Sequence, residues 1–184
     1  MSVMTSLIGH AKTFPGLTTF GHPWTPAHDV VLGAIEGLVR SRNPASLFLT
    51  RPFQWRSTHL LTRVVPSWLR LGGLDVCVVS PSRRYAEMNR HDDVPRVHSA
   101  HIGQPLTGSF YDVAIVDGLV EGPRDEVEVA CEWVVRCLSR RAPTLIISHG
   151  TYPDPRVQIP SDKAMDVFVS NRLPLIHIDL MRSP

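Results

Sequence analysis

The chain has 184 residues, 43% of them apolar, and a formal net charge of +2, which is the size and composition of one folded domain with a substantial core. No apolar run approaches the roughly 20 residues needed to cross a bilayer, and three widely spaced cysteines favour reduced core thiols over a disulfide framework or a zinc site. These properties exclude a membrane span, a disulfide-stapled miniprotein, a coiled coil and a polybasic tail, and we expect a soluble protein without a membrane partner. They do not separate enzymes from binding modules.

The first half of the chain predicts an arm followed by alternating helices and strands. Residues 1–23 mix Gly, Pro, Thr and His without a sustained period, which predicts an irregular arm before a single domain at 24–184. Thr25 and Pro26 are typical of a helix start, and apolar residues at helical spacing predict a helix that ends near residues 41–44. A strand over Ser46–Thr50 and a helix over residues 60–69 follow, and we expect Pro66 to kink or shorten that helix.

The second half predicts five further strands and three further helices. The strands are predicted at residues 76–80, 96–102, 112–117, 144–148 and 174–180, and the helices at 82–90, 127–138 and 162–170. This alternation indicates an α/β fold with a mostly parallel sheet and helices on both faces. Ligands bind beyond the carboxyl ends of such strands. Three groups at strand ends are therefore expected to converge on one edge of the sheet, namely residues 51–58, Asp117 and Ser148-His149.

One series of motifs resembles a known family. A strand, an eight-residue loop, a helix and a later apolar strand that ends in Asp117 form the layout of a phosphate-binding loop with a magnesium-binding acid. From about Thr25 to Pro155 the chain resembles the ATPase lobe of the large terminase subunit, the motor of tailed-phage DNA packaging and a P-loop NTPase. The segments that carry the resemblance are Trp24–His28, Pro52–Ser57, Pro66–Leu69, Val78–Ser82, Ala114–Asp117 and Leu145–His149.

The resemblance implies a nucleotide site, with ATP and Mg as its ligands. It places nucleotide contacts at His28, Gln54, Trp55, Arg56, Ser57 and Thr58. It also implies magnesium ligation by Ser57 and Asp117, catalytic roles for Arg56, Asp117 and Glu121, and a coupling role for Ser148 and His149. His28 has a second interpretation as a hydrogen-bonded surface histidine, and Trp55 can stack on a base or fill an empty nucleotide site.

The chain departs from the family pattern at the residues on which ATP hydrolysis depends. The family's loop ends in Gly-Lys-Ser or Gly-Lys-Thr, whereas Trp55 and Arg56 stand here before Ser57. Gly118 replaces the second acid, which polarises the attacking water in the family, and Glu121 is the nearest substitute. About 30 residues follow Pro155, and we expect no activity of the family's nuclease lobe from them. We therefore expect a degenerate, terminase-like protein of phage or prophage origin with a binding role and no efficient hydrolysis.

Three functional hypotheses stay open on the sequence. The first is a pseudo-ATPase that binds DNA or phage packaging proteins, the second is a slow ATPase of a packaging motor, and the third is a viral protein that binds a host protein. Each implies the cytoplasm of a host cell or a virion as the location. Seventeen of the 19 basic residues are arginine, and the candidates for non-specific contact with nucleic acid are Arg83, Arg84, Arg140 and Arg141. Their alternative interpretation is a solvated helix surface.

Overall fold

A computed structural model of the chain describes residues 4–14, 26–42, 44, 46–50, 64–80, 82–88, 96–105, 110–117, 124–148 and 162–179. Its helices are α1 (Leu7–Thr13), α2 (Pro26–Arg42), α3 (Val65–Leu71), α4 (Arg83–Met88), α5 (Arg124–Cys137) and α6 (Asp162–Ser170). Its strands are β1 (Ser46–Thr50), β2 (Asp75–Ser80), β3 (Val97–His101), β4 (Val113–Asp117), β5 (Thr144–Ser148) and β6 (Leu175–Asp179). The predicted alternation of helices with parallel strands is confirmed.

The six strands form one sheet in the order β3-β2-β1-β4-β5-β6, and every neighbouring pair is parallel. The chain therefore adds strands in one direction from β1 to β3, returns to the other side of β1 with β4, and continues outward to β6. This is the strand order of the doubly wound α/β fold, whose ligands bind where the direction of addition reverses. In this protein that point lies between β1 and β4.

The core has two parts, one on each face of the sheet, because side chains along a strand alternate between its faces. In β4, Val113 and Ile115 belong to one buried cluster, and Ala114 and Val116 belong to the other. Helices α1, α2 and α3 contribute to the first cluster, whereas α5 and α6 contribute to the second. The apolar runs of the central strands thus match a sheet that is covered on both faces, as the sequence predicts.

Helix α1 corrects one prediction, since it forms inside the segment expected to be irregular. Its N-cap residue, Ser6, makes no side-chain capping bond. The carboxylate of Glu36 in α2 replaces that cap, because its Oε2 atom accepts hydrogen bonds from the backbone N of Leu7 at 2.9 Å and from the Ser6 hydroxyl at 3.2 Å. Leu7 and Ala11 are fully buried against the core. Partners that are distant in sequence therefore stabilise this short helix.

The second predicted helix begins with proline in its first turn, where the missing N–H of proline costs no hydrogen bond. Pro66 thus stands at the start of α3. The part of that prediction over residues 60–63 lies outside the described residues. Trp68 of α3 is fully buried, and its indole Nε1 donates a hydrogen bond to the Thr5 carbonyl at 2.9 Å. Helix α3 therefore holds the N-terminal segment as well as covering the sheet.

The three cysteines are free and buried, as predicted for core thiols. Burial raises the pKa of Cys77 to about 11, although a side-chain hydrogen bond with Tyr111 opposes that effect. Burial likewise raises the pKa of Cys131 to about 12 and that of Cys137 to about 11. These thiols are protonated at neutral pH and are therefore poor nucleophiles. Among the helices of the described residues, none has the length and apolarity that a membrane crossing requires.

Candidate functional site

Every strand of the sheet ends in a polar residue at the same edge. Because all six strands are parallel, their last residues share the carboxyl edge of the sheet. Those residues are Thr50, Ser80, His101, Asp117, Ser148 and Asp179. Within β2, β4 and β5, by contrast, the central residues are apolar and buried. The carboxyl edge therefore carries residue types that form hydrogen bonds or ionise, and it is the edge at which parallel α/β sheets bind their ligands.

The structure places the strand that leads into the predicted phosphate loop beside the strand that ends in Asp117. Strands β1 and β4 are direct neighbours, with Leu49 paired to Ile115. Continuing this register places Thr50 opposite Val116, so that Asp117 extends one residue beyond the end of β1. The predicted phosphate loop, residues 51–58, continues the chain from Thr50. The strand that carries the predicted magnesium ligand thus lies directly beside the strand that leads into the loop.

The predicted coupling residues lie on the next strand. Asp117 pairs with Ile147 of β5, and Ser148 therefore lies one residue further along the same edge. Ser148 pairs in turn with Asp179 of β6. Three strands in succession, β1, β4 and β5, thus end with predicted site residues or lead directly to them. This adjacency is a property of the strand order and is not visible in the sequence spacing.

Helix α2 extends toward the same edge. It has 17 residues, or about 25 Å of length at 1.5 Å per residue, and β1 has five residues, or about 17 Å. The end of α2 at Arg42 is close in sequence to the start of β1, and its residues Leu32, Ile35 and Leu38 pack in the same core cluster as the sheet. The first turn of α2 therefore lies near the carboxyl edge. His28 is in that turn, half-buried, and it interacts with other groups of the protein.

Several predicted site residues lie outside the described residues. They are Gln54, Trp55, Arg56, Ser57, Thr58, Glu121 and His149. The described site therefore consists of the ends of β1, β4 and β5 and the first turn of α2. Within the part of the chain that the structure describes, no group of three His, Cys, Asp or Glu residues forms a metal cluster. Asp117, the predicted magnesium ligand, ends β4 at the carboxyl edge.

The four arginines predicted to contact nucleic acid fall into two separate pairs. Arg83 and Arg84 begin α4, directly after β2, and lie at the carboxyl edge. Arg140 and Arg141 lie between α5 and β5, and thus at the amino edge. Strands of five to six residues separate the two edges by about 17–20 Å. The two pairs therefore do not form one continuous basic surface.

The end of β2 adds residues whose relation to the site the sequence does not predict. Strand β2 pairs with β1, with Val79 opposite Thr50, so that Ser80 extends one residue beyond the end of β1. Ser80 is buried, and Arg83 and Arg84 follow it after two residues. The signal in the sequence is a strand that ends in Ser-Pro-Ser-Arg-Arg. That signal points to the nucleotide site only when β2 is known to be the neighbour of β1.

No protein-family model matches this chain, and no curated protein resembles it in sequence. The terminase resemblance therefore remains a prediction that rests on the order and spacing of the motifs. What the structure adds is the α/β architecture and the positions of the strand ends.

Proposed function

We propose that the protein binds a nucleotide at the carboxyl edge between β1 and β4, and that it is a degenerate, terminase-like P-loop protein with a binding role in phage DNA packaging. The adjacency of these two strands carries the proposal. It puts Asp117 beside the strand that leads into residues 51–58, at the point where doubly wound sheets bind their ligands.

Each predicted contact has a defined chemical role in this proposal. Ser57 and Asp117 supply oxygen ligands for magnesium, Arg56 supplies positive charge to the phosphates, and His28 lies at the end of α2 that extends to the same edge. Magnesium held by these residues would neutralise part of the charge of the phosphates. The residues thus suit the binding of a nucleotide with its magnesium ion.

Hydrolysis requires more than binding, because it depends on groups that stabilise the transition state. The compact ammonium of a loop lysine is replaced by the planar guanidinium of Arg56, and Gly118 provides no carboxylate to polarise water. Loss of a single group that stabilises developing charge costs roughly 100-fold to 1000-fold in rate. We therefore propose a protein that binds ATP and turns it over no faster than a buffer control.

Binding and hydrolysis can be measured separately. Isothermal titration calorimetry with ATP and magnesium is expected to show binding to the wild-type chain, and weaker binding to Asp117→Asn. Asp75→Asn is the matched control, because Asp75 is an exposed acid that begins β2 at the opposite edge of the sheet. Absence of ATP binding to the wild type, or equal affinity in both variants, would contradict the proposed site.

The hydrolysis assay tests the second half of the proposal. Release of inorganic phosphate from ATP is expected to equal the rate in buffer for the wild type and for Asp117→Ala. Turnover that is present in the wild type and absent in Asp117→Ala would show an active ATPase. That result would replace the pseudo-enzyme proposal with the slow-motor hypothesis.

A further inference from the structure

We propose that an amino-edge surface, formed by Phe110, Arg140, Arg141 and Arg172, binds single-stranded nucleic acid. A base stacks on the ring of Phe110, and the three guanidinium groups hold the phosphates on either side of it. This surface lies at the opposite edge of the sheet from the proposed nucleotide site. The two proposals are therefore independent, and each can fail without the other.

The exposure of Phe110 is the first observation. Phe110 lies three residues before β4 and is 68% exposed, more than any other large apolar residue that the structure describes. It belongs to neither core cluster. Its ring is therefore open to a flat ligand, and aromatic rings of this kind are the platforms on which single-stranded bases stack.

Backbone hydrogen bonding places Phe110 beside the turn that carries two of the arginines. The backbone N of Ser139 donates a hydrogen bond to the carbonyl of Tyr111 at 2.9 Å. Phe110 directly precedes Tyr111 in the chain, and Arg140 and Arg141 directly follow Ser139. The exposed ring and the two exposed arginines are thus attached to one pair of hydrogen-bonded backbone segments.

Arg172 extends this surface by one strand. It lies in the connection from α6 to β6, and β6 is the neighbour of β5. Neighbouring strands lie about 5 Å apart, so the connections before β4, β5 and β6 span about 10 Å along the edge. Three nucleotides cover that length at about 3.4 Å each. The surface is therefore long enough for one stacked base and the phosphates that flank it.

The backbone of Arg172 is the second observation. Its φ is 55°, in the left-handed region that favours glycine. Gly73, with a φ of 80°, stands at the matching position after α3. In both caps this residue donates its N–H to the carbonyl three residues before it at 2.9 Å, and the next residue donates to the carbonyl five residues before it at 3.3 Å. Glycine is the usual residue in such a cap, so the fold alone favours glycine at position 172 as well.

Arg141 shows the same conflict in a turn. The backbone N of Ala142 donates to the Ser139 carbonyl at 3.1 Å, which makes Arg141 the third residue of a β-turn. Its φ is 64°, and glycine or asparagine is usual at that place when φ is positive. Two residues of the surface are therefore arginine where the backbone favours another residue. Backbone strain of this kind is typical of functional residues, which favours a role for both side chains.

The helix dipole does not explain these two arginines. A cation near the C-terminal end of a helix is favourable, but typically by less than the left-handed backbone costs a residue with a side chain. The effect also falls off within the last turn, and α5 ends at Cys137, four residues before Arg141. The side chains are therefore better explained by a ligand than by the helix ends.

The charge of the surface is not balanced by neighbouring acids. Within the described residues, no acid forms an ion pair with any of its three arginines. The acid nearest to Phe110 in sequence is Asp112, whose Oδ2 atom accepts hydrogen bonds from the backbone N and the hydroxyl of Ser46 at 3.3 and 3.4 Å. The whole chain has a net charge of only +2. Positive charge is therefore concentrated at this edge, where it complements a phosphate backbone.

The combination of ring and cations favours a single strand over other anionic partners. The bases of a duplex are stacked on each other and offer no free face to Phe110, whereas each base of a single strand has one. An acidic protein segment matches the arginines but has no planar group for the ring. Single-stranded nucleic acid is therefore the partner that uses both features of the surface.

The first experiment measures whether the full-length chain binds a single strand. The probe is a fluorescent oligothymidylate of about 12 nucleotides, followed by anisotropy from about 50 mM salt upward. Three phosphate contacts are expected to give a slope of log K against log salt of about −2, since each contributes about −0.7 on a single strand. Absence of binding, tighter binding of a duplex of equal length, or equal displacement of the probe by polyglutamate would overturn the inference.

The second experiment tests the aromatic platform. Phe110→Ala is expected to weaken binding about fivefold or more, because stacking on one base is strong enough for that ratio, and Phe110→Trp is expected to retain it. Val129→Ala is the matched control, because Val129 is 62% exposed on α5 and lies outside the surface. Unchanged affinity in Phe110→Ala, or an equal loss in the control, would overturn the inference.

The third experiment separates binding from folding. Arg141→Gly/Arg172→Gly is expected to weaken binding and to reduce the salt slope to about −0.7, without lowering Tm, because glycine suits both backbones. Arg83→Ala/Arg84→Ala removes the same charge at the carboxyl edge, about 17–20 Å away and beyond the Debye length of about 10 Å at 0.1 M salt, so its effect at that salt is expected to be much smaller. Equal losses in the two double variants would assign binding to general electrostatics and would overturn the inference. A lower Tm in the glycine variant would assign the arginines to the fold and would overturn it as well.

Discussion

Replacement of Glu36 by alanine tests how the N-terminal helix is held. The carboxylate of Glu36 is 18% exposed and accepts hydrogen bonds from three donors, namely the Leu7 backbone N at 2.9 Å, the Ser6 hydroxyl at 3.2 Å and the Arg40 Nε at 2.9 Å. The first of these bonds satisfies a donor at the start of α1 that no residue of α1 can satisfy. We expect Glu36→Ala to remove all three bonds and to destabilise α1 in particular.

The expected magnitude follows from these contacts. Loss of a helix cap costs typically about 1 kcal/mol, a hydroxyl hydrogen bond contributes about 1 kcal/mol, and an exposed i,i+4 ion pair contributes about 0.3–0.5 kcal/mol. The free energy of unfolding is therefore expected to fall by about 2 kcal/mol. For a chain of this length, that loss lowers Tm by roughly 4–8 °C.

Urea denaturation followed by tryptophan fluorescence measures the loss in free energy, and hydrogen exchange of the Leu7 amide measures the loss of α1 protection. Glu132→Ala is the matched control, because Glu132 is an exposed glutamate within α5. A surface substitution of this kind changes stability by less than about 0.5 kcal/mol. If Glu36→Ala destabilised the protein no more than the control does, the account of α1 would be refuted.

Three further predictions follow from the described residues. Burial lowers the pKa of His10 from 6.5, and its Nε2 atom is buried without a hydrogen-bond partner. The unfolded chain therefore takes up the proton before the folded protein does, and the free energy of unfolding falls as the pH drops below about 6.5. His10→Gln should flatten that pH dependence in urea titrations at several pH values. The three buried thiols should react with a thiol reagent at pH 8 far more slowly in the native protein than in urea, and equal rates would contradict their burial. Because the two arginine pairs are separated, binding of duplex DNA through either pair alone should give a slope of log K against log salt of about −1.8, and an unchanged slope in Arg83→Ala/Arg84→Ala and in Arg140→Ala/Arg141→Ala would show that neither pair contacts the phosphates.

The secondary structure was largely predictable because its signals are local. Continuous apolar runs such as Val76–Val79 identify strands that are buried on both faces, and the structure places β2 at Asp75–Ser80. Pro26 marks the start of α2 because its fixed backbone angle suits the first helical turn. Helix α1 was not predictable in this way, since Glu36 and Trp68 hold its N-terminal end from 29 and 63 residues away.

The candidate site was predictable only in part. The motif order predicts that Thr50 and Asp117 end strands and that a loop follows the first of them. It does not predict that β1 and β4 are neighbours, because side-chain periodicity reports which face of a strand is buried and not which strand lies beside it. Whether Trp55 and Arg56 reach a nucleotide remains a prediction, because both lie outside the described residues.

The sequence by itself determined the fold class, the approximate positions of the six strands and the polar residues that end four of them, Thr50, Ser80, Asp117 and Ser148, since these depend on local patterns of apolar and polar side chains. Only the tertiary structure decided that β4 lies beside β1, that Ser80 with Arg83 and Arg84 borders the same edge, and that Arg140 and Arg141 lie at the other edge. The physical reason is that pairing between parallel strands joins residues far apart in the chain, through backbone hydrogen bonds that carry no residue-specific signal.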